Sequence, residues 1–299
     1  MNFKDWENEK DTLHLLSQIL GKYKLEASYQ EPQWSHVTLN IDVQGFSTGM
    51  LSYETHTFSL NVNLIQHHIE VVVDQNVHDI TLKNGRTIQY YYNEIEKLLN
   101  QSDIHLKINT LPQEVANPIP FENDTEHHHY DDKIAKKALA LMKFAYHAEA
   151  NFVNGLRVRK SKPGLFWGTF DISCMIVKDQ PAPFEDDSKV IERAAFDEEM
   201  IEFGFWFGDD QFEGPTFFVL PYPFADQPFD TDHRFPKDCY FDQQLMEYLI
   251  EYQQHHDIDT ITQFFKASYL KFADFLNWDN VDYAFSPLKM RPNHLNSTL

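Results

Sequence analysis

The stretch PGLFWGTFDIS, Pro163 to Ser173, places a carboxylate among aromatic rings and hydroxyls. Read as one strand, Leu165, Trp167, Thr169, Asp171 and Ser173 face one way, and Phe166, Gly168, Phe170, Ile172 and Cys174 face the other. The second face is core. The first sets an indole beside a hydroxyl and a carboxylate. Aspartate is disfavoured in mid-strand, so water, a nearby arginine or a bound ligand must offset its cost. Asp171 therefore reads either as a satisfied structural residue or as part of a pocket lining. A second cluster, GFWFGDD, sets Trp206 between Gly204 and Gly208, which suits an indole facing a cleft and equally suits a bending strand.

Proton chemistry needs a partner for Asp171, and His36 and His14 are the candidates. His36 falls beside Trp34 and Thr38 on the polar side of WSHVTLNIDV, and His14 lies on a polar helix edge with Ser17 and Gln18. The adjacent His67 and His68 would point to opposite faces of a strand. His127, His128 and His129 occupy a loop, and His255 and His256 are read as following a helix. No HExxH, zinc-type Cys/His or 2-His-1-carboxylate spacing occurs, so no metal ligand is predicted, and only a site assembled from distant residues stays open. Walker A, GxGxxG and GxSxG signatures are missing as well.

The elements that must position these groups follow from periodicity. TLHLLSQILGKYKL predicts a helix capped by Asp11 or Thr12 and ended at Gly21. WSHVTLNIDV, TFSLNVNLI, HIEVVVD and HDITLK predict strands, with a turn at Asn84-Gly85. TIQYYYNEIEKLLN predicts a helix, and IHLKIN a short strand. TLPQEVANPIPFEND carries three prolines and reads as an extended connector. A long helix then starts at Asp131 or Asp132 and ends near Gly155. QPAPFEDDSK is a loop, VIERAAFDEEMIEF a short helix, and GFWFGD and TFFVLPYPF are strands. Two helices close the chain, DQQLMEYLIEYQQ and TITQFFKASYLKFADFLNW, before an unpatterned tail from Phe285. The layout helix, basic stretch, Trp-bearing strand occurs twice, around Gly21–Trp34 and Gly155–Trp167, which suggests an internal repeat.

The 299 residues suffice for one large or two modest units, and 42% hydrophobic content excludes a disordered chain. A formal charge of −21 repels phosphate backbones and anionic membranes, so neither nucleic acid nor membrane is an expected partner. Cys174 and Cys239 form no motif, which suggests a reducing compartment, and the polar N-terminus shows no signal pattern, so a cytoplasmic location is expected.

The motifs TLHLLSQILGK, WSHV, NPIPFENDTEHHHYD, FWGTFD, GFWFGD and SYLKFADFLNWD, in this order from Trp6 to Asp279, resemble an uncharacterised bacterial family, domain-of-unknown-function family 5996. Positions matching the family pattern include His14, Gln18, Gly21, Trp34, His36, Asp124, His127, Tyr130, Trp167, Asp171 and Trp206. Similar sequences tend to carry a histidine where Gly164 stands and a tryptophan where Ser35 stands, and the first departure counts against a histidine-based role near the opening stretch. The resemblance implies an α+β protein of this length and supplies no established activity, substrate or catalytic residue.

The expectation is thus an α+β fold, with mixed, mostly antiparallel sheets and flanking helices, open to two similar halves, 1–116 and 117–299. The favoured function is small-molecule binding in an aromatic pocket of Trp34, Trp167 and Trp206, with His36, Thr38, Thr169, Asp171, His127 and Tyr130 orienting the ligand. The alternatives are a hydrolytic or acid–base enzyme using Asp171 with His36 or His14, and a protein-interaction module. Cofactor, ligand identity and oligomeric state are not specified by the sequence.

Overall fold

The computed structural model describes residues 1–186, 188–291 and 294–295. The N-terminal half begins with α1 (Glu7–Ala27), followed by a 3-10 turn at Pro32–Val37. Its strands are β1 (Asn40–Ile41), β2 (Gly45–Ser47), β3 (Leu51–Tyr53), β4 (His56–Asn63), β5 (His68–Val73) and β6 (Asn76–Thr81), and α2 (Ile88–Gln101) closes the half. The sheet order is β1-β2-β4-β5-β6, with β3 paired to β4, and every pairing is antiparallel. Alternation drives it: Phe58, Leu60 and Val62 on β4 and Ile69, Val71 and Val73 on β5 are buried, while Thr57, Ser59, Asn61, Glu70 and Val72 lie on the wetter face.

The C-terminal half repeats this plan. It runs α3 (Asp132–Val153), β7 (Arg159–Lys160), β8 (Gly164–Phe166), β9 (Asp171–Pro181), α4 (Val190–Ala195), β10 (Glu198–Trp206), β11 (Thr216–Tyr222), β12 (Cys239–Asp242), β13 (Glu247–Glu251), α5 (Ile258–Phe275) and α6 (Val281–Ala284). The order is β12-β13-β11-β10-β9-β7, with β8 on β9, again antiparallel. Each half is thus a helix, an antiparallel meander and a second helix packed beside the first, which makes the fold α+β with two similar halves. Asp131 caps α3 as expected, accepting from the Lys133 and Ile134 amides. Among the described residues no helix is long and apolar enough to cross a membrane.

The halves join at several points, two of which fix the β8–β9 hairpin. Leu39 and Leu165 exchange backbone hydrogen bonds of 2.8 and 2.9 Å, bridging the edges of the two sheets. Gly164 sits at this junction, where a Cβ would stand 2.9 Å from Thr38 Oγ1 and 3.2 Å from the Leu39 carbonyl oxygen. The second join is the tip of the β8–β9 hairpin, lodged on α1.

Several expectations are corrected. PGLFWGTFDIS is not one strand but a hairpin: Phe166 pairs with Asp171, and Trp167–Phe170 forms the turn, with Phe170 at φ 60°. Period-two alternation across a turn is coincidence, so Trp167 and Asp171 do not share a face. WSHVTLNIDV is not one strand: its first four residues belong to the Pro32–Val37 turn, with Gln33 and Trp34 both at φ 55°, and only Asn40–Ile41 is strand. Helix α1 starts at Glu7 and runs through Gly21. IHLKIN belongs to no strand. VIERAAFDEEMIEF is helical only to Ala195, and from Glu198 it is β10, which absorbs GFW. DQQLMEYLIEYQQ is the β12–β13 hairpin rather than a helix, so His255 and His256 follow a strand. Of the QPAPFEDDSK loop, residue 187 lies outside the described residues, as do 292–293 and 296–299 of the tail.

Candidate functional site

The two faces of the C-terminal sheet have different work. Ile172, Cys174, Ile201, Phe203, Phe205, Phe217, Tyr248 and Ile250 form one side and are buried against α3 and α5. The opposite side carries Asp171, Ser173 and Met175 from β9, Glu202 and Trp206 from β10, Phe218 and Leu220 from β11, and Glu247 from β13. These residues floor a cavity of about 530 Å³. The N-terminal half supplies part of its roof, Gln33, Trp34 and Thr38, while Ile191, Glu192, Ala195 and Phe196 cover it from the α4 side. The Gln33 amide nitrogen donates to Asp197 Oδ1 and Glu198 Oε2, both at 2.8 Å, and this pins the turn over the sheet. Phe166, Phe170 and Phe207 complete the aromatic wall, and Lys10 and Asp209 lie at one end.

The floor is acidic. Desolvation pushes the Asp171 carboxyl up to about 6, against hydrogen bonds from Thr169 and Ser173 that favour the anion. Desolvation first, then the charge of Asp171, pushes Glu202 up to about 8, again opposed by Ser173. Glu247 rises to about 8 through burial and the nearby Glu202, Asp242 and Asp171. The Ser173 hydroxyl lies by both carboxyls, and its single proton can favour only one of the two anions at a time. Among the described residues no basic side chain forms an ion pair with these three acids. Beneath the floor, Glu149 of α3 lies beside Cys174, fully buried, with neither oxygen hydrogen-bonded among the described residues. Burial holds its carboxyl well above the usual range. The Trp206 Nε1–H is also buried without a partner among the described residues, with its ring 5.3 Å from Phe218.

Of the residues singled out in the sequence, Trp34, Thr38, Thr169, Asp171 and Trp206 line this one cavity. The rest stand elsewhere. Trp167 is buried on α1, where its indole lies against Gly21 and its Nε1–H donates to the Val37 carbonyl at 3.0 Å. A Cβ at Gly21 would fall 2.1 Å from the indole, so the contact requires glycine. His14 Nε2 donates to the carbonyl oxygens of Trp167 and Gly168, at 3.0 and 2.9 Å. Its ring stacks on Phe170, and burial pushes its pKa down to about 4. Gln18 binds both the amide and the carbonyl of Gln113, at 2.8 and 2.7 Å. These residues lock the hairpin tip to α1, and among the described residues no hydrogen bond joins His14 to Asp171.

His36 does not line the cavity. Its Nδ1 accepts from the Glu31 amide at 3.1 Å, its Nε2 is buried without a partner among the described residues, and burial lowers its pKa. His127 Nδ1 meets Asp124 Oδ2 at 2.8 Å, within a loop whose carbonyls accept from the first amides of α2. Tyr130 bonds His67 Nδ1 at 2.8 Å, beside a separate hollow at the start of α3. Trp167, His36, His14, His127 and Tyr130 are therefore not brought to the cavity.

Glu202 and Glu247 escaped the sequence reading because both fell in segments taken as helices. The signal was present: Met200, Glu202, Gly204 and Trp206 alternate with Ile201, Phe203, Phe205 and Phe207, a strand period over eight residues.

No curated protein matches the chain, and no solved structure does. The model of a family of unknown function, DUF5996, matches residues 1–284.

Proposed function

The chain belongs to the DUF5996 family, which brings no activity with it, and from the cavity alone we propose that the protein binds a small organic cation, an amine or guanidine of drug-like size. The observation that carries this reading is the set of three desolvated carboxyls, Asp171, Glu202 and Glu247, without a cationic partner in a cavity walled by aromatic rings. Carboxyls in such a setting hold their protons against the cost of an unpaired buried charge. A ligand ammonium entering the cavity supplies the missing charge, and the faces of Trp34, Trp206 and Phe218 attract it further. About 530 Å³ is the scale of cavities that bury small ligands. The Trp206 Nε1–H and the Ser173, Thr169 and Thr38 hydroxyls offer orienting hydrogen bonds.

A second reading is favoured by the pairing of Asp171 and Glu202, two desolvated carboxyls on one cavity floor, the charge of one raising the proton affinity of the other. Such a pair titrates as a unit and suits acid–base work. In that reading one carboxyl of the pair accepts a proton and the other donates one, with no histidine involved.

Calorimetric titration tests the binding reading with a matched pair of probes, a primary arylalkylamine and the alcohol of the same shape. The amine should bind roughly tenfold or more tightly, and Glu202→Gln should remove most of that preference, given about 1.4 kcal/mol per tenfold. Equal affinity for the two probes in the wild-type protein would overturn the proposal.

A further inference from the structure

A second group of polar side chains converges at the open end of the β12–β13 hairpin, the end away from the Glu247 that floors the cavity. Cys239 pairs with Ile250, so Asp238, one residue before β12, lies level with the end of β13. From there the chain turns through Gln253–His256, closed by the His256 amide donating to the Gln253 carbonyl at 2.9 Å, and enters α5. In a strand two adjacent histidines diverge; in this turn their rings meet, with centroids 4.3 Å apart and planes at 64°. One donor atom each from Asp238, His255 and His256 lies within 4.8 Å of the others. It is the one such trio of His, Cys, Asp or Glu donors among the described residues, and the cavity carboxyls do not form another.

We propose that Asp238, His255 and His256 bind a divalent transition metal ion of the zinc class. Two imidazoles and a carboxylate are a donor set that suits zinc, with water completing the shell. Ion–donor distances of about 2.0–2.2 Å need the three atoms inside the 4.8 Å bound they already meet, and the exposed Asp238 and His255 side chains can adjust to the ion. His256 is the anchored member: it is 5% exposed, and its Nδ1 accepts from the Gln253 amide at 3.2 Å, a long bond that an ion on Nδ1 displaces and an ion on Nε2 leaves in place. The nearby Cys239 thiol is engaged with the Pro236 carbonyl at 2.9 Å and is not counted as a ligand. The bound ion would tie the hairpin to the start of α5. This site is independent of the cavity and of what the cavity binds.

The test is a zinc titration of the full chain by calorimetry, with the unfolding midpoint followed in parallel. The wild-type protein should take up one zinc ion more tightly than any others and gain thermal stability from it. The double variant Asp238→Asn/His255→Ala should bind that ion roughly tenfold or more weakly and lose the gain. Because both side chains are exposed, and asparagine tolerates the φ of 70° at Asp238, the metal-free variant should unfold at the wild-type temperature. Glu202→Gln should leave zinc affinity unchanged. Wild-type zinc affinity in the double variant, or no wild-type binding below millimolar zinc, overturns the proposal.

Discussion

Glu149 shows what the carboxyl cluster costs the protein. Burial keeps this acid protonated in the fold at pH values where the unfolded chain has lost the proton, and Glu202 and Glu247, at about 8, behave alike. A folded state that binds more protons than the unfolded state loses stability as pH rises from the unfolded carboxyl range through the folded values. His14 acts in the opposite sense, but only between about 4 and its ordinary 6.5. Between pH 6.5 and 8 the carboxyls prevail, so the unfolding midpoint should fall across that interval. Glu149→Gln should flatten the slope, and a wild-type midpoint that rises with pH there would contradict the buried-acid account. At this scale the sequence disclosed Asp171, Trp34, Thr38, Thr169 and Trp206, because carboxylate, hydroxyl and indole stand out against apolar strands. It misplaced Trp167 and His14, whose partners are backbone carbonyls far along the chain, a relation no local pattern records.

The hairpin tip on α1 and the β12–β13 hairpin are where element-level reasoning succeeded least. Trp167 sits against Gly21, so Gly21→Ala forces an indole or a helix to move and should destabilise the fold by about 1–3 kcal/mol in urea denaturation. On an exposed helix surface the same change would stabilise it. Met246 offers the complementary check. It closes the β12–β13 turn at φ 59°, a conformation that favours glycine, so Met246→Gly should be neutral or stabilise by a few tenths of a kcal/mol. Were Asp242–Gln254 helical, the same substitution would cost about 1 kcal/mol. The long helices α1, α3 and α5 and the strands β4, β5 and β11 were legible, since each holds one period over its length. The failures are short strands joined by tight turns, where left-handed residues such as Gln33, Trp34 and Phe170 interrupt a pattern that still looks periodic.

For the molecule as a whole, the repeat of helix, meander and helix was visible as two Gly-to-Trp segments, although the tryptophans do different things: Trp34 roofs the cavity and Trp167 anchors one half on the other. One hydrophobic cluster contains Leu16, Leu60 and Tyr91 from the first half and Trp167, Phe203 and Phe265 from the second. Unfolding should accordingly appear in calorimetry as one transition; two separated transitions would mean that the halves fold independently. The roof of the cavity comes partly from the first half and its floor from the second, so the proposed binding would depend on this docking. The formal charge of −21 adds a field that draws cations toward the molecule and should make their association slow as salt is added. The most direct test of the central claim is the unfolding midpoint at pH 7.5 with size-matched panels of organic cations, neutral molecules and anions, each on wild type and on Glu202→Gln. Cations alone should raise the wild-type midpoint, with little effect on the variant; stabilisation by the anions or neutral compounds instead, or by cations equally in both proteins, would contradict a cavity built for positive charge.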